Sequence, residues 1–273
     1  MREATSQDRA QNNWRHDSFV LRSLVSKDFK LRYRRSILGV AWSVLNPLLM
    51  MVVLTAVFSY MFRFNIAHYP LYFILGQIMF NFINAGTSGG MTSILDSSAL
   101  IKKIRINKSV FPVEKVIFEL VNFAISLIAV ALVFIYFLVF PTPGEPPLIL
   151  TWNIVWLPLL LVYATLFGVG LSFLLSALAV FFRDVIHLWG IFTLAWTYAT
   201  PLFYPIEQLA PWMQQLMMFN PMYHYVTYFR DIVMWGVTPS LKLNFGCLAF
   251  ALITLGVGYL VFRLKQRKFI LYV

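Results

Sequence analysis

The stretch LRYRRSILGVAWSVLNPLLMMVVL, residues 31–54, places a cluster of arginines directly before a long apolar run. Arg32, Arg34 and Arg35 are suited to water and to anionic lipid headgroups, whereas the residues from Ile37 onward are apolar enough to enter hydrocarbon. A chain with this junction is predicted to enter a membrane here, with the residues before it on the cytoplasmic side.

Six apolar runs are long enough to cross a bilayer, whose core requires about 20 helical residues. They cover residues 37–62, 71–94, 113–140, 152–182, 186–203 and 243–264. Hydrophobic residues make up 60% of the chain and charged residues only 12%, against about 25% charged in soluble domains. The sequence therefore predicts an all-α polytopic membrane protein with six transmembrane helices, over residues 37–264.

The formal net charge of +11 does not indicate a nucleic-acid partner, because the basic residues lie beside the apolar runs. If both ends of the chain are cytoplasmic, all but Arg63, Arg230 and Lys242 of the 22 lysines and arginines lie on the cytoplasmic side. The positive-inside rule thus predicts six spans with residues 1–36 and the tail 265–273 in the cytoplasm.

Residues 1–17 are polar, and we expect them to be loosely ordered. Residues 18–33 have apolar side chains on one face and basic or small polar side chains on the other. This pattern is typical of an amphipathic helix that lies along the membrane surface.

Two pairs of opposite charges stand four residues apart, Asp28 with Arg32 and Lys115 with Glu119. Side chains at this spacing are neighbours on one helix, so both pairs are predicted to be local ion pairs. For Asp28 a contact with another part of the structure is the alternative. For Glu119 and nearby Glu114, an interfacial ion pair is favoured over a proton relay.

The segment between the second and third apolar runs, residues 97–105, is predicted to form a short helix on the cytoplasmic face. Its apolar side chains are Leu100, Ile101 and Ile104, and its basic side chains are Lys102, Lys103 and Arg105. Such a helix can fill a groove on a cytoplasmic partner. The alternative is a basic loop that only fixes topology.

A smaller cytoplasmic turn with Arg183 and Asp184 lies between the fourth and fifth runs. His187 nearby is not expected to be catalytic or metal-binding, because no second ligand stands at a suitable spacing.

The segment before the last apolar run is predicted to be an outer helical hairpin, residues 205–235. Asn220 followed by Pro221 is typical of a helix start, and Gly236 is typical of a helix end. A helix over 221–235 reaches only about 22 Å and cannot cross the membrane. With a shorter helix over 211–219, it is predicted to form a re-entrant hairpin between spans five and six.

This hairpin is rich in aromatic and methionine side chains, which is typical of a surface that repacks around different shapes. We therefore predict a movable outer gate that also stacks on sugars, the alternative for each ring being an ordinary interfacial belt. The residues assigned to this role are Trp212, Met218, Phe219, Tyr223, Tyr225, Tyr228 and Trp235. Arg230 and Asp231 are adjacent on one helix, so each is expected to find its partner elsewhere.

The sequence lacks the pattern GxxxxGK[ST], so the chain is not expected to bind ATP through a phosphate loop. It also lacks a pair of mid-span acids for ion coupling and an acid/base constellation for a membrane transferase. A transporter with this sequence would draw its energy from another polypeptide, and neither catalysis nor a metal site is predicted.

Four stretches resemble the permease subunits of bacterial ABC transporters that export cell-surface polysaccharides, a family that includes O-antigen, capsule, rhamnan and teichoic acid exporters. The stretches are KDFKLRYRRSILGVAWSVLNPLLMMVV, HYPLYFILGQIMFNF, SALIKKIRINKSVFP and TPLFYPIEQLAPWMQQLMMFNPMYHYVTYFRDIV. The resemblance implies a homodimer in the bacterial cytoplasmic membrane, bound to two copies of a separate ATPase that carries ATP and Mg. The substrate it implies is a lipid-linked polysaccharide.

The resemblance also implies residue roles: 97–105 as the coupling helix, 205–235 as the gate, and Arg32, Arg34 and Arg35 as contacts for the lipid phosphate. Guanidinium groups suit bidentate pairing with phosphate. For these arginines, topology and anionic-lipid binding are the alternative. An ABC exporter of drugs or lipids is the alternative for the whole chain.

Overall fold

The structure is a computed structural model that describes residues 6–34, 36–58, 66–103 and 106–272, with side chains from Asp17 onward. All regular secondary structure within these ranges is helical, as predicted. The helices are α1 (Ser6–Tyr33), α2 (Trp42–Val57), α3 (Tyr69–Asp96), α4 (Ser98–Lys103), α5 (Val110–Val139), α6 (Leu157–Phe181), α7 (Asp184–Ala199), α8 (Pro211–Met217), α9 (Pro221–Arg230), α10 (Leu241–Lys265) and α11 (Phe269–Tyr272).

Four helical stretches are long and apolar enough to cross a membrane: Gly39–Val57, Val110–Val139, Trp152–Phe181 and Leu241–Tyr272. They correspond to α2, α5, α6 and the α10–α11 region, two of them lengthened by an N-terminal 3-10 turn. Residues on their outward faces, such as Val52, Leu132 and Ile253, are more than half exposed in the isolated chain. A surface of this kind requires an apolar solvent, so the chain is a multi-pass membrane protein.

The two other predicted spans correspond to α3 and α7. At 28 residues α3 is long enough, about 42 Å, but polar side chains, among them Gln77, Asn81 and Asn84, interrupt its apolar run. At 16 residues α7 reaches about 24 Å. The count of six spans therefore stays a prediction. The end of the first expected run, residues 59–62, lies outside the described residues.

The centre of the bundle is α3, which packs against α2, α5 and α6, while α10 packs against the far side of α6. Residues Leu71, Ile74, Leu75 and Met79 of α3 are fully buried. Gly170 of α6 and Gly258 of α10 face each other so closely that a Cβ on either would overlap the other helix. Small residues at a crossing of this kind allow two membrane helices to pack backbone against backbone.

Helix α1 begins at Ser6, so the expectation of a loosely ordered segment is wrong for residues 6–17. The segment contains neither glycine nor proline, and nothing in it breaks the helix that continues to Tyr33. The C-terminal half of α1 packs against α5, with Leu24 against the core, so this helix is part of the bundle.

The two short helices α8 and α9 occupy the segment predicted to form the hairpin, residues 205–235. Asn220 caps α9 by accepting a hydrogen bond from the Met222 N–H at 3.0 Å, and Gly236 ends the segment at φ +61°. The part after Arg230 is a π turn, Asp231–Trp235, and not a continuation of the α-helix. The predicted cap and stop are confirmed, whereas re-entry into a membrane stays a prediction.

Candidate functional site

The charges predicted to pair within single helices pair instead between α1 and α5. The Asp28 carboxylate accepts a hydrogen bond from the Lys115 ammonium, and Arg32 Nη2 lies 2.9 Å from Glu119 Oε1. Both predicted i,i+4 pairs are therefore wrong, and the four residues have exchanged partners. The two helices run side by side in the same direction, so a spacing of four residues on each brings opposite charges face to face.

Hydrogen bonds extend this contact to α2. The Tyr33 hydroxyl donates to Asn122 Oδ1 at 2.9 Å and is hydrogen-bonded to Ser43 Oγ. The Ser126 hydroxyl donates to the Ser43 carbonyl at 3.0 Å. We call these contacts, with the two ion pairs, the polar seam, and it joins the end of α1 to the start of α2 and to residues 115–126 of α5.

A cavity of about 630 Å³ opens beside the polar seam, between α1, α2, α3 and α5. We call it the α1 cleft. Its polar lining includes Arg32, Asn46, Asn81, Asn84, Glu119 and Asn122. Four asparagines in one cleft between apolar helices form a surface that favours a polar solute over lipid tails.

The asparagines of α3 belong to a polar stripe along that helix, which the sequence reading missed. The stripe consists of Gln77, Asn81, Asn84, Ser88 and Thr92, at spacings of four, three, four and four residues, and none of the five is fully buried. This spacing keeps the side chains on one face of the helix. A helical period among the polar residues of an apolar run was therefore the signal available in the sequence.

The structure describes two of the three arginines predicted to contact phosphate, Arg32 and Arg34. Arg32 is paired with Glu119, and its guanidinium carbon lies 4.8 Å from the centroid of the Phe118 ring. Arg34 is exposed beyond the end of α1. Arg35 lies outside the described residues.

The predicted coupling segment contains α4, which ends before Ile104 and Arg105, both outside the described residues. Ile101 is only 9% exposed and packs into the core of the chain, and Leu100 is partly buried against the same core. The prediction that Ile101 projects toward a partner is wrong for this structure. Lys102 and Lys103 are exposed.

Two hydrogen bonds hold the loop that follows α4. The Asn107 amide donates to Asp17 Oδ2 of α1 at 2.9 Å, and Lys108 Nζ donates to the Gln266 carbonyl beyond α10 at 2.7 Å. The segment is therefore tied to both terminal parts of the described chain. Arg183 and Asp184 are exposed at the start of α7.

Arg230 anchors the base of the hairpin. It is 5% exposed and donates to the carbonyls of Tyr72 at 3.2 Å, Pro201 at 2.9 Å and Leu202 at 3.1 Å. Burial lowers the pKa of the guanidinium to about 10, which leaves Arg230 charged at neutral pH. Gly76 provides its space, since a Cβ there would lie 2.8 Å from Arg230 Nη2. The prediction that Arg230 finds its partner away from Asp231 is confirmed.

Asn220 anchors the turn of the hairpin. Besides capping α9, its side-chain oxygen accepts from the Trp196 indole N–H at 2.9 Å, and its amide donates to Thr200 Oγ1 at 3.0 Å. Both partners lie at the end of α7. The hairpin is thus fixed to the bundle at its base and at its turn.

Tyr225 and Tyr228 are fully buried, and their hydroxyls donate to the Cys247 carbonyl at 3.0 Å and to Asn244 Oδ1 at 3.1 Å. Neither ring has a face available to a sugar, so their assignment as stacking residues is wrong for this structure. The side of α9 that carries them faces α10 and not the outside. Period alone does not distinguish a buried aromatic face from an exposed one.

The other hairpin residues remain accessible. Trp212, Met218, Phe219 and Trp235 are 63%, 60%, 78% and 45% exposed. Tyr223 is partly buried and, with Trp235, lines a cavity of about 420 Å³ at the hairpin base. Among the described residues no group of His, Cys, Asp and Glu is arranged to hold a metal ion.

Apolar helices around a central helix with a polar stripe, and a polar cleft between the helices, define a multi-pass membrane protein that offers a path to polar solutes. The chain belongs to the ABC-2 type transporter family, whose sequence profile matches residues 20–234.

Several named proteins are similar to this chain over most of its length. The O-antigen export system permease protein RfbA of Myxococcus xanthus is 28% identical over 252 residues, which are 92% of this chain and 94% of the relative. The protein of the same name in Klebsiella pneumoniae is 26% identical over 78% of this chain and 80% of its own length. The polysialic acid transport protein KpsM of Escherichia coli is 21% identical over 94% of this chain and 97% of its own.

Proposed function

We propose that this chain is the membrane subunit of an ATP-driven exporter that moves a lipid-linked cell-surface polysaccharide outward across the bacterial cytoplasmic membrane. The observation that carries the proposal is its similarity to O-antigen export permeases over nearly the full length of both chains. The polar stripe of α3 supports it, because an export path for a glycan requires hydroxyl-binding groups inside an apolar bundle.

The working assembly consists of two copies of this chain and two copies of a separate ABC ATPase, which binds ATP and Mg. Six spans place residues 1–36 and the tail 265–273 in the cytoplasm. In this arrangement α4 faces the ATPase, and the hairpin 205–235 lies at the outer face and dips into the membrane. The distribution of lysine and arginine supports this orientation.

Coupling to the ATPase runs through residues 97–105 and the turn with Arg183 and Asp184. Lys102 and Lys103 are the exposed cations of α4, and Leu100 adds a partly exposed apolar side chain. The ties from Asn107 to Asp17 and from Lys108 to Gln266 support this role. Through these two hydrogen bonds a displacement of α4 is transmitted to α1 and to the end of α10 together.

The lipid phosphate binds at the arginines that follow α1. Arg34 is exposed and suited to it, and Arg35 is assigned the same role from the sequence. Arg32 acts indirectly, because its ion pair with Glu119 holds the end of α1 against α5.

The hairpin is the outer gate, with sugars stacking on Trp212, Phe219, Tyr223 and Trp235. Because Arg230 and Asn220 fix its base and its turn to the bundle, the moving part consists of the exposed side chains around Met218. The polymer is of the O-antigen or capsule type, and teichoic acid is a further member of the same chemical class.

The test is reconstitution of the chain with its ATPase in proteoliposomes. A lipid-linked polysaccharide should stimulate ATP hydrolysis and become accessible on the opposite side only when ATP is present. Amphipathic drugs or phospholipids serve as the alternative substrates. Stimulation and transport of these without any response to the polysaccharide would overturn the proposal in favour of a drug or lipid exporter.

A further inference from the structure

Among the described residues that line it, the α1 cleft carries no net charge despite its polar character. Its cation, Arg32, lies 2.9 Å from its carboxylate, Glu119, and both side chains line the cavity. Asn122 donates to Glu119 Oε2 at 3.0 Å and so satisfies the carboxylate further. The Glu119 carboxylate beside this guanidinium would repel an anionic phosphate, which disfavours phosphate as the ligand.

The cleft also presents side-chain amide groups that make no hydrogen bond within the described residues. Asn46 of α2 and Asn81 of α3 are exposed to the cavity, and neither has a hydrogen-bond partner among the described residues. Asn84 Oδ1 accepts from Ser88 at 3.3 Å, and its NH2 group is unpaired within the same part of the chain. Each amide group can donate and accept, which is what vicinal hydroxyls require.

An aromatic ring stands at the edge of the same cavity. Trp42, the first residue of α2, lines the cleft and is 45% exposed. A broad flat ring beside amide donors and acceptors suits a ligand with an apolar C–H face and a rim of hydroxyls. A lining without net charge, amides without partners and one aromatic ring together suit a sugar as the ligand.

The position of the cleft places this ligand inside the bundle. At about 1.5 Å per residue, Asn84 lies about 18 Å along α3 from its end at Asp96, and Asn122 lies about 18 Å along α5 from its start at Val110. Since α3 is 28 residues long and α5 is 30, both side chains lie before the middle of their helices as counted from those ends. The cleft therefore lies between the helices and not at their ends.

We propose that the α1 cleft is a glycan subsite that binds neutral sugar units of the polymer through Asn46, Asn81 and Asn84, with Trp42 as the stacking ring. This inference rests on the proposed function and assigns separate sites to the lipid phosphate and to the sugars. The lipid phosphate binds at Arg34, and the sugars occupy the cleft lined by the amide groups.

The experiment measures binding of two fluorescent lipids to the complex of this chain and its ATPase in nanodiscs. One probe is an isoprenyl pyrophosphate that carries an O-antigen-type polysaccharide, and the other is the same isoprenyl pyrophosphate without sugar. The variants are Asn81→Ala with Asn84→Ala, and Trp42→Ala with Trp42→Phe as its matched control. Arg34→Ala serves as the variant of the phosphate contact.

The double asparagine variant should weaken binding of the glycan probe by about ten-fold or more, the loss expected for two hydrogen bonds, and leave the sugar-free probe unchanged. Trp42→Ala should behave in the same way, and Trp42→Phe should bind both probes as the unmodified chain does. Arg34→Ala should weaken both probes. Unchanged binding of the sugar-free probe also demonstrates that the asparagine and Trp42 variants are folded.

Equal weakening of both probes by the asparagine variant, or no weakening of either, would overturn the subsite. A different result tests the proposed function itself. If the unmodified complex binds the two probes equally and the glycan probe does not stimulate its ATPase, the chain is not a polysaccharide exporter, and the subsite falls with that proposal.

Discussion

The guanidinium carbon of Arg230 lies 3.3 Å from the centroid of the Tyr72 ring, while Arg230 Nε donates to the Tyr72 carbonyl at 3.2 Å. A single side chain thus ties the end of α9 to the first turn of α3 by a cation–π contact and a hydrogen bond. Its remaining donors bind the chain that follows α7. These three parts of the structure are therefore expected to move together.

Removing the Arg230 side chain should destabilise the protein strongly. Arg230→Met removes a charged donor from three buried carbonyls, of which Pro201 keeps the Tyr72 hydroxyl at 3.4 Å, and it loses the cation–π contact, at a cost on the order of 3 kcal/mol or more. Arg230→Lys keeps the charge but loses the planar guanidinium, so its stability should lie between that of Arg230→Met and that of the unmodified protein. Thermal unfolding in detergent measures both, with Lys242→Met as the control on an exposed side chain. Equal melting of Arg230→Met and the control would mean that Arg230 is no anchor.

Gly76 and Arg230 should be coupled. A Cβ at position 76 meets Arg230 Nη2 at 2.8 Å and Leu202 Cδ2 at 3.2 Å, so Gly76→Ala should cost about 1–3 kcal/mol by overpacking. In an Arg230→Met background the same change should cost less, because the guanidinium that the new Cβ would meet is gone. Gly190→Ala is the matched control, since a Cβ there has open space. Strict additivity of the two changes would contradict the contact.

The pairing of Asp28 with Lys115 can be distinguished from the local pair by a double-mutant cycle. Asp28→Asn and Lys115→Met should each cost about 1 kcal/mol, and together they should cost clearly less than their sum. The cycle of Asp28→Asn with Arg32→Met should be additive, because Arg32 pairs with Glu119. Unfolding free energies of the six proteins give both coupling energies. Coupling only in the second cycle would restore the local pair.

These charges illustrate what the sequence could and could not predict. Asp28, Arg32, Lys115 and Glu119 were all identified as ion-pair residues, because opposite charges in apolar surroundings require partners. The spacing did not reveal that two helices lie in parallel, and an i,i+4 pair on each then has an equally close partner on the other. Local spacing limits the possible partners, and packing between helices selects among them.

In the hairpin, too, local chemistry was predictable from the sequence and packing between helices was not. Its start at Asn220 and its end at Gly236 follow from local chemistry, a side-chain cap and a left-handed φ, and both were predictable. Tyr225 and Tyr228 were assigned to the outside because aromatic residues suit an interface. Their burial depends on where α10 packs, which no local pattern contains. The polar stripe of α3 was available in the sequence but lay hidden inside an apolar run.

Coupling through α4 predicts an effect of its exposed lysines. Lys102→Ala with Lys103→Ala should leave membrane insertion and thermal stability unchanged, because both side chains are exposed. It should reduce the ATPase that copurifies with the chain several-fold and lower polysaccharide-stimulated hydrolysis. Lys27→Ala with Lys30→Ala removes the same charge from the exposed side of α1 and is the control. Equal effects of the two double variants would assign the result to overall charge.

The gate proposal predicts that restraint near the hairpin turn stops export. Met218 is 60% exposed, whereas Asn220 and the base at Arg230 are fixed to the bundle, so the moving part consists of the exposed side chains around Met218. In a background where buried Cys247 is replaced by Ser, a cysteine at position 218 should be cross-linked to the same position of the second subunit. Export should then fall to background while basal ATP hydrolysis continues, since the ATPase and α4 are untouched. A cysteine at Leu241, which is 88% exposed at the start of α10, is the matched control and should permit export after the same treatment. Efficient cross-linking at position 218 with export at its normal rate would mean that the hairpin is a fixed lid and that the polymer leaves by another route.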